Sequence, residues 1–281
     1  MNADRPLLEQ VLEFAEVRGI TLPVFSDVAL KVQQAARSDS FDLSDVERAI
    51  GDDPALVTEI LRAANSAFFG GLAEVSTIRT AIMRLGLQRV SNLVFLATEK
   101  NRYTARHPAM SGLMADLWHH SSACAMAAEW LARKVRYPQL GETVFIGALV
   151  HDIGKLFLLR VIDEMQREPG ATPVPIELVH EVLESAHTEV GHRLLTSWHL
   201  PEVYQAIVRD HHAEHADPAN VALQIVRLAD RACNKVGLGL RAEPTLVLVA
   251  LEEAATLGLS DIALAELEVV LEDVAAHNVI G

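Results

Sequence analysis

Phe145-Ile146-Gly147-Ala148-Leu149-Val150-His151-Asp152-Ile153-Gly154-Lys155 is an apolar helical run that closes on two metal-ligand side chains, a glycine and a lysine. Adjacent His and Asp side chains reach one ion or two neighbouring ions. Imidazole suits Zn and Fe, while carboxylate widens the choice to Mn and Mg. A helical advance of about 100° per residue lets both side chains face one cavity from different directions. Lys155 lies four residues beyond His151 and so shares its face, where an ammonium can neutralise a phosphate.

One His-Asp pair is a weak signal in a chain with 12 histidines. Further ligand types recur at helical spacings around it: His120 before, then His187, the pair His211-His212, and Asp230 after. His120 is flanked by Leu117 and Ala123-Cys124, which turns that side of its helix toward a core. Asp230 ends the apolar face Ile225 to Ala229. Burying a carboxylate there costs on the order of several kcal/mol unless it is paired or bound to metal.

His120, His151, Asp152 and Asp230 therefore make a mononuclear metal site. His187, His211 and His212 complete a second metal position or bind the phosphate, and Asp152 and Lys155 are the candidate catalytic pair. Two ions close together would stabilise both the attacking and the leaving oxygen of a phosphoester. Gly191, one turn after His187, leaves room for a neighbouring helix to approach. Plainer roles exist for the same residues. His120 can be a satisfied interior histidine, Asp152 a cap on the following turn, and Lys155 a surface lysine. His211 to His215 can be a polar helix end that suits the dipole. His107, His119, His180, His192, His199, His215 and His277 are expected to lie outside any site.

Half of the 281 residues are hydrophobic, aromatics are only 5%, and 15 Gly and 11 Pro are few for the length. Aliphatic cores in a mostly helical protein follow. The net charge of −14 would repel nucleic-acid backbone and anionic membrane, so direct nucleic-acid binding is disfavoured. The basic cluster Arg133-Lys134-Val135-Arg136 reads as a solvated helix end. Cys124 and Cys233 sit in apolar helical runs and form no CxxC, so both read as buried thiols in a reducing compartment. Met1 to Pro6 leads into a glutamate-studded segment rather than an apolar one, and no apolar run reaches membrane-spanning length. A cytoplasmic protein without membrane contact is the expectation.

Apolar periodicity predicts helices along nearly the whole chain. Asp53 caps a helix that has Pro54 in its first turn, where the missing N–H is harmless. That helix ends near Phe68-Phe69-Gly70-Gly71, and Ser76-Thr77 begins the next. A helix over Glu142–Leu159, two helices over Ile176–Ser185 and Thr188–Trp198, and two acidic apolar helices over Thr245–Thr256 and Ser260–Ala276 are also predicted. Leu246, Val247, Leu248, Val249 and Leu251 are expected to be packed. The weakly periodic stretch Asn101 to Gly112 marks the main boundary.

The ordered motifs resemble the HDOD family of bacterial signalling proteins, relatives of the HD phosphohydrolases. In the first part they are Leu22-Pro23 with Val28-Ala29, Asp53-Pro54-Ala55-Leu56, Ala64-Asn65-Ser66-Ala67-Phe68-Phe69-Gly70, and Ser76-Thr77-Ile78 to Leu85-Gly86. In the second part they are Leu117-Trp118-His119-His120-Ser121, Gly147 to Lys155, His187-Thr188-Glu189-Val190-Gly191, Leu195, Trp198, Leu200-Pro201 and His211-His212.

The resemblance spans roughly residues 15–235. It implies an all-α fold in which an N-terminal helical bundle packs on a C-terminal HD-like helical domain. The expected organisation is 1–105, 106–240 and a C-terminal helical extension, 241–281. His120, His151, Asp152, His187, His211, His212 and Asp230 each match an HD-core position, for one or two divalent ions (Fe, Mn, Ni, Zn or Mg). Relatives that hydrolyse cyclic di-GMP carry Gly-Tyr-Pro soon after the paired histidines, where this chain reads Ala213-Glu214-His215. Glu184 stands where many relatives have glycine. The resemblance thus implies a regulatory module acting through two-component or cyclic-nucleotide pathway proteins, with a metal or nucleotide as ligand. The alternative is a metal-dependent phosphohydrolase acting on a nucleotide or cyclic dinucleotide. Asn65 is expected to bind local backbone rather than a partner.

Overall fold

The computed structural model describes residues 5–22, 24–38, 42–66, 68–69 and 74–277. Pro23, Ala67, Gly70 and Gly71, which carry part of the expectations above, lie outside the described residues, as do Met1 to Asp4. The fold is all-α, with no strand among the described residues. Two compact units emerge: residues 1–23 with 103–271, and residues 24–102 with 272–281. This division differs from the expected 1–105, 106–240 and 241–281. The first helix, α1 (Leu7–Arg18), packs against helices of the larger unit rather than those that follow it in sequence.

The smaller unit contains α2 (Asp27–Arg37), α3 (Leu43–Gly51), α4 (Pro54–Ala64), α5 (Ile78–Leu85) and α6 (Leu87–Lys100). Helix starts follow local chemistry. Asp42 accepts from the Ser44 N–H, Asp53 from those of Ala55 and Leu56, and Thr77 with Thr80 forms a reciprocal capping box. Asn65 donates to the carbonyls of Leu61 and Val75 and accepts from the Val75 N–H, so it ties the α4–α5 connection, as its backbone role required. α6 is the hub against which α2, α4 and α5 pack. Its Val90, Leu93, Val94, Phe95 and Leu96 are buried, and Phe25 meets Phe95 edge-to-face at 5.3 Å.

The larger unit continues with α7 (Pro108–Lys134), α8 (Gly141–Val150), α9 (Ile153–Gln166), α10 (Ile176–Ser197), α11 (Glu202–Asp210), α12 (Val221–Lys235), α13 (Glu252–Thr256) and α14 (Asp261–His277) as far as Leu271. α8 is apolar all round because it is enclosed by α7, α11 and α12, with Val144 to Val150 all buried. Three departures from the sequence pattern matter. The predicted Glu142–Leu159 helix is broken at His151-Asp152, between α8 and α9. The predicted pair of helices from Ile176 to Trp198 is one helix, α10, with His187 in its interior. The Thr245–Thr256 segment is a 3-10 turn at Leu248–Ala250 followed by the short α13. Only Leu248 of its apolar cluster is buried, whereas Val247 and Val249 are exposed, because so short a turn presents one side chain to α12. No helix among the described residues is long and apolar enough to cross a membrane.

Candidate metal centre

Four helices and one helix break carry the site. His120 lies mid-way along α7 and faces inward, 3% exposed, with His119 beside it exposed. His151 and Asp152 occupy the break between α8 and α9. Asp152 adopts φ −100° and ψ 18° there, and its carboxylate makes no capping bond. The next turn is closed by its backbone carbonyl, which accepts from the Lys155 N–H at 2.8 Å. The capping role open to Asp152 is therefore not the one it plays, and its side chain is free to turn inward. His187 enters from α10, His211 and His212 from the end of α11, and Asp230 from α12.

The four inner imidazoles share one arrangement. His120 Nδ1–H donates to the Leu238 carbonyl at 2.7 Å, His151 to Ala148 at 2.6 Å, His187 to Leu183 at 2.7 Å and His211 to Val208 at 3.0 Å. Such backbone bonds fix the tautomer and the ring orientation. Each ring then turns its Nε2 to the cavity. The Nε2 atoms of His120 and His151 stand 3.2 Å apart, and those of His187 and His211 3.3 Å apart. Two ring nitrogens at that distance are held together by a proton or by a metal ion between them.

Asp152 stands between these pairs. Its Oδ2 is 3.5 Å from His151 Nε2 and 3.6 Å from His120 Nε2, and it accepts from Lys155 Nζ at 2.8 Å. Its Oδ1 is 3.5 Å from His187 Nε2 and 3.6 Å from His211 Nε2. That oxygen is fully buried and accepts no hydrogen bond, which is costly for a carboxylate unless a cation is supplied. Asp230 Oδ1 lies 3.2 Å from His120 Nε2 and accepts from Asn234 Nδ2 at 2.9 Å.

Two groups of ligand atoms result, each mutually within 4.8 Å: His120, Cys124, His151 and Asp230, and then Asp152, His187, His211 and His212. The donor set suits borderline and hard divalent ions. His212 alone is exposed, its ring 4.2 Å from that of His211. It borders a cavity of about 300 Å³ that Arg227, Arg231 and Glu252 also line.

The electrostatics agree with the geometry. Burial lowers the pKa of His151 to about 4 and that of His187 to about 3, which leaves both neutral and able to ligate. Burial opposes the charged form of His120, yet the adjoining Cys124 sulfur and the Asp230 carboxylate raise its pKa well above the imidazole value. Burial would raise Asp152, but Lys155 and His151 overcome this and hold it well below the usual carboxylate range. Asp230 is lowered in the same way, against its burial, by His120.

All seven residues expected to ligate, with Lys155, are thus gathered in one hollow of the larger unit. Lys155 is buried at 8% exposure, not a surface lysine. Sequence reasoning missed Cys124, read there as an ordinary buried thiol. Its spacing of four from His120 was the signal. It also missed the Gly237 to Gly239 turn as the holder of His120 through Leu238, and Asn234 as the partner of Asp230.

A family model, the HDOD domain, matches residues 22–214. An uncharacterised protein of Treponema pallidum (strain Nichols) is 26% identical over 198 residues, covering 68% of this chain and 37% of the relative, so the chain spans little more than a third of that protein. The fold is similar to that of an HDOD domain protein of unknown function from Geobacter sulfurreducens, with TM-score 0.70, 21% identity, and 97% and 96% of the two chains covered. It is also similar to a protein provisionally described as a metal-dependent phosphohydrolase from Shewanella amazonensis SB2B, with TM-score 0.64, 20% identity, and 94% and 98% covered. A third similar structure, provisionally described as a signal transduction protein from Marinobacter aquaeolei VT8, has TM-score 0.64, 18% identity, and 97% and 65% covered. With well over half of its length matched by the family model and its helices folded as in such proteins, this chain belongs to the HDOD family.

Proposed function

We propose that the larger unit is a divalent-metal centre for phosphoester hydrolysis, acting on a nucleotide within a signalling pathway. The observation that carries it is the carboxylate of Asp152, whose two oxygens face two separate pairs of imidazole nitrogens and one of which has no hydrogen-bond partner. His120, His151 and Asp230 would hold one ion and His187, His211 and His212 the other, with Asp152 shared between them. Bound ions supply Lewis-acid polarisation of the phosphate and a water of lowered pKa. The chain's own part is to keep His151 and His187 neutral by burial and to fix the inner rings' orientation through backbone carbonyls. It also holds Lys155 as a positive charge beside Asp152, where it can steady phosphate oxygens. The cavity beside His212, near the lower end of the size of small-molecule sites, suits one nucleotide better than a cyclic dinucleotide.

A regulatory reading, in which the metal-loaded module acts through protein partners without turnover, is favoured by one feature. The Gly-Tyr-Pro extension of cyclic di-GMP hydrolases is replaced here by Ala213-Glu214-His215. Elemental analysis of the purified protein, followed by a nucleotide and phosphoester panel with Mn, Fe, Ni, Zn and Mg, separates the two. Turnover that disappears in Asp152→Ala supports the enzyme. Stoichiometric metal without turnover leaves the regulatory module, and protein that takes up no metal under any condition sinks both forms of the centre.

A further inference from the structure

α12 ends in a turn that folds back against the metal centre. The Leu238 N–H donates to the Cys233 carbonyl at 2.9 Å and the Gly237 N–H to that of Asn234 at 3.3 Å, with Gly237 at φ +80°. This is the helix stop that a glycine in the left-handed region permits. It delivers the Leu238 carbonyl to His120 Nδ1 at 2.7 Å. The Glu243 N–H then donates to the Asn234 carbonyl at 2.8 Å, so the chain from 237 to 243 loops around Asn234.

Asn234 lies one turn after Asp230 on α12, and chemistry allows its amide one orientation. The Asp230 carboxylate only accepts, so the amide nitrogen must face it, 2.9 Å from Oδ1. The amide oxygen is thereby turned to Gly239. A Cβ on Gly239 would lie 2.4 Å from Asn234 Oδ1 and 3.3 Å from His120 Nδ1. Unlike Gly237, Gly239 is not in the left-handed region, so what its position demands is room and not backbone freedom. One turn therefore sets two ligands that come from different helices. His120 of α7 is set through the Leu238 carbonyl and Asp230 of α12 through the Asn234 amide, and His120 Nε2 and Asp230 Oδ1 stand 3.2 Å apart.

We propose that Gly239 is a positioning residue of the His120–His151–Asp230 position. Its bare Cα leaves the space in which the Asn234 amide seats, and through that amide it fixes the Asp230 carboxylate. An added methyl group meets the amide oxygen, which is the end of a side chain and gives way. The amide can swing aside only by letting go of Asp230. Groups that orient a metal ligand from behind tune affinity nearly as strongly as the ligands do. This role rests on the metal-centre reading and adds to it how one of the two positions is held.

The test is a double-mutant cycle on the full chain, with Gly239→Ala, Asn234→Ala and the two combined. Calorimetric titration with Zn²⁺ measures affinity, and anomalous diffraction from zinc-loaded crystals assigns each ion to its position. Both single variants should lose about 10–100-fold at the His120–His151–Asp230 position, with the His187–His211–His212 position unchanged. The double should lose no more than Asn234→Ala, because the methyl group then has no amide to displace. For the same reason the double should match Asn234→Ala in thermal stability, even where Gly239→Ala alone folds poorly. Losses that add in the double, equal losses at both positions, or full affinity in Gly239→Ala overturn the positioning role while leaving the metal centre standing. A wild type that binds no Zn²⁺ overturns both.

Discussion

A Cβ placed on Gly154 would lie 1.9 Å from the carbonyl oxygen of His187 and 2.9 Å from the backbone nitrogen of Gly191. α9 and α10 therefore cross backbone to backbone at the point where the His-Asp break meets the His187 turn, and this contact sets the distance between the two halves of the centre. Gly154→Ala should force the helices apart, since the obstacle is backbone and cannot swing away. We expect a loss of roughly 1–3 kcal/mol, of the size of overpacking, together with loss of metal at the position that contains His187. In Gly191→Ala the closest obstacle is a side-chain atom, Val208 Cγ1 at 2.7 Å, so its effect should be the smaller of the two. Thermal denaturation and metal stoichiometry of both variants check the order, and equal tolerance would remove the crossing from its role.

Lys155 and Asp152 form a buried pair at 2.8 Å. Removing one member strands the other, so Asp152→Ala should destabilise the metal-free protein by about 3–5 kcal/mol. Asp152→Ala with Lys155→Met should recover most of that loss while still lacking the carboxylate that the two positions share. Urea unfolding of the singles and the double without metal measures the coupling. If the double is no more stable than Asp152→Ala, the pair is not what holds Lys155 inside.

Much of this was legible in sequence because ligand chemistry and helical spacing are local. The apolar run ending in His151-Asp152, His120 on a core-facing turn, and Asp230 at the end of an apolar face each reveal burial of a polar group. Less legible was what depends on the third dimension. A continuous apolar pattern from Glu142 to Leu159 contains no proline, yet the chain kinks at Asp152, where the carboxylate turns into the hollow. Conversely, His187 reads as a gap between two helices but is the inward position of one, because its ring is satisfied by Leu183 one turn back. α1 joins the larger unit through packing that no local pattern encodes.

Glu99 gives the smaller unit a pH dependence of its own. Burial raises its pKa from 4.5 to about 7, only partly opposed by Arg102 at 3.1 Å, and its Oε1 has no hydrogen-bond partner. Between pH 4.5 and about 7 the folded protein holds a proton that the unfolded chain has released, so stability falls as pH rises through this window. The full cost above it is roughly 3 kcal/mol at 1.36 kcal/mol per pKa unit. Glu99→Gln should flatten this part of the stability–pH curve and be the more stable protein at pH 8. Denaturant midpoints across the range decide it, and an unchanged slope in the variant would place the dependence elsewhere.

Arg227 links the segment after α12 to the paired histidines. Its Nη1 donates to the carbonyls of Asp210, His211 and Ala213 at 3.2, 3.0 and 2.8 Å, and its Nε donates to Glu253 Oε1 at 2.6 Å. Three carbonyls at the end of α11 are thereby gathered onto one guanidinium, which suits the negative end of the helix dipole. Glu253, buried on α13, fixes the guanidinium in turn. Arg227→Met should let the His211-His212 turn relax and weaken Mn²⁺ binding there by about 10–100-fold, the usual effect of removing support for a metal ligand. The position of His120, His151 and Asp230, supported by Leu238 and Asn234 instead, should keep its affinity. Glu253→Gln retains an acceptor for Nε and should fall between wild type and Arg227→Met. Calorimetric titration with Mn²⁺ and Co²⁺ resolves the two positions, and an equal loss at both would mean that Arg227 supports the fold as a whole rather than this turn.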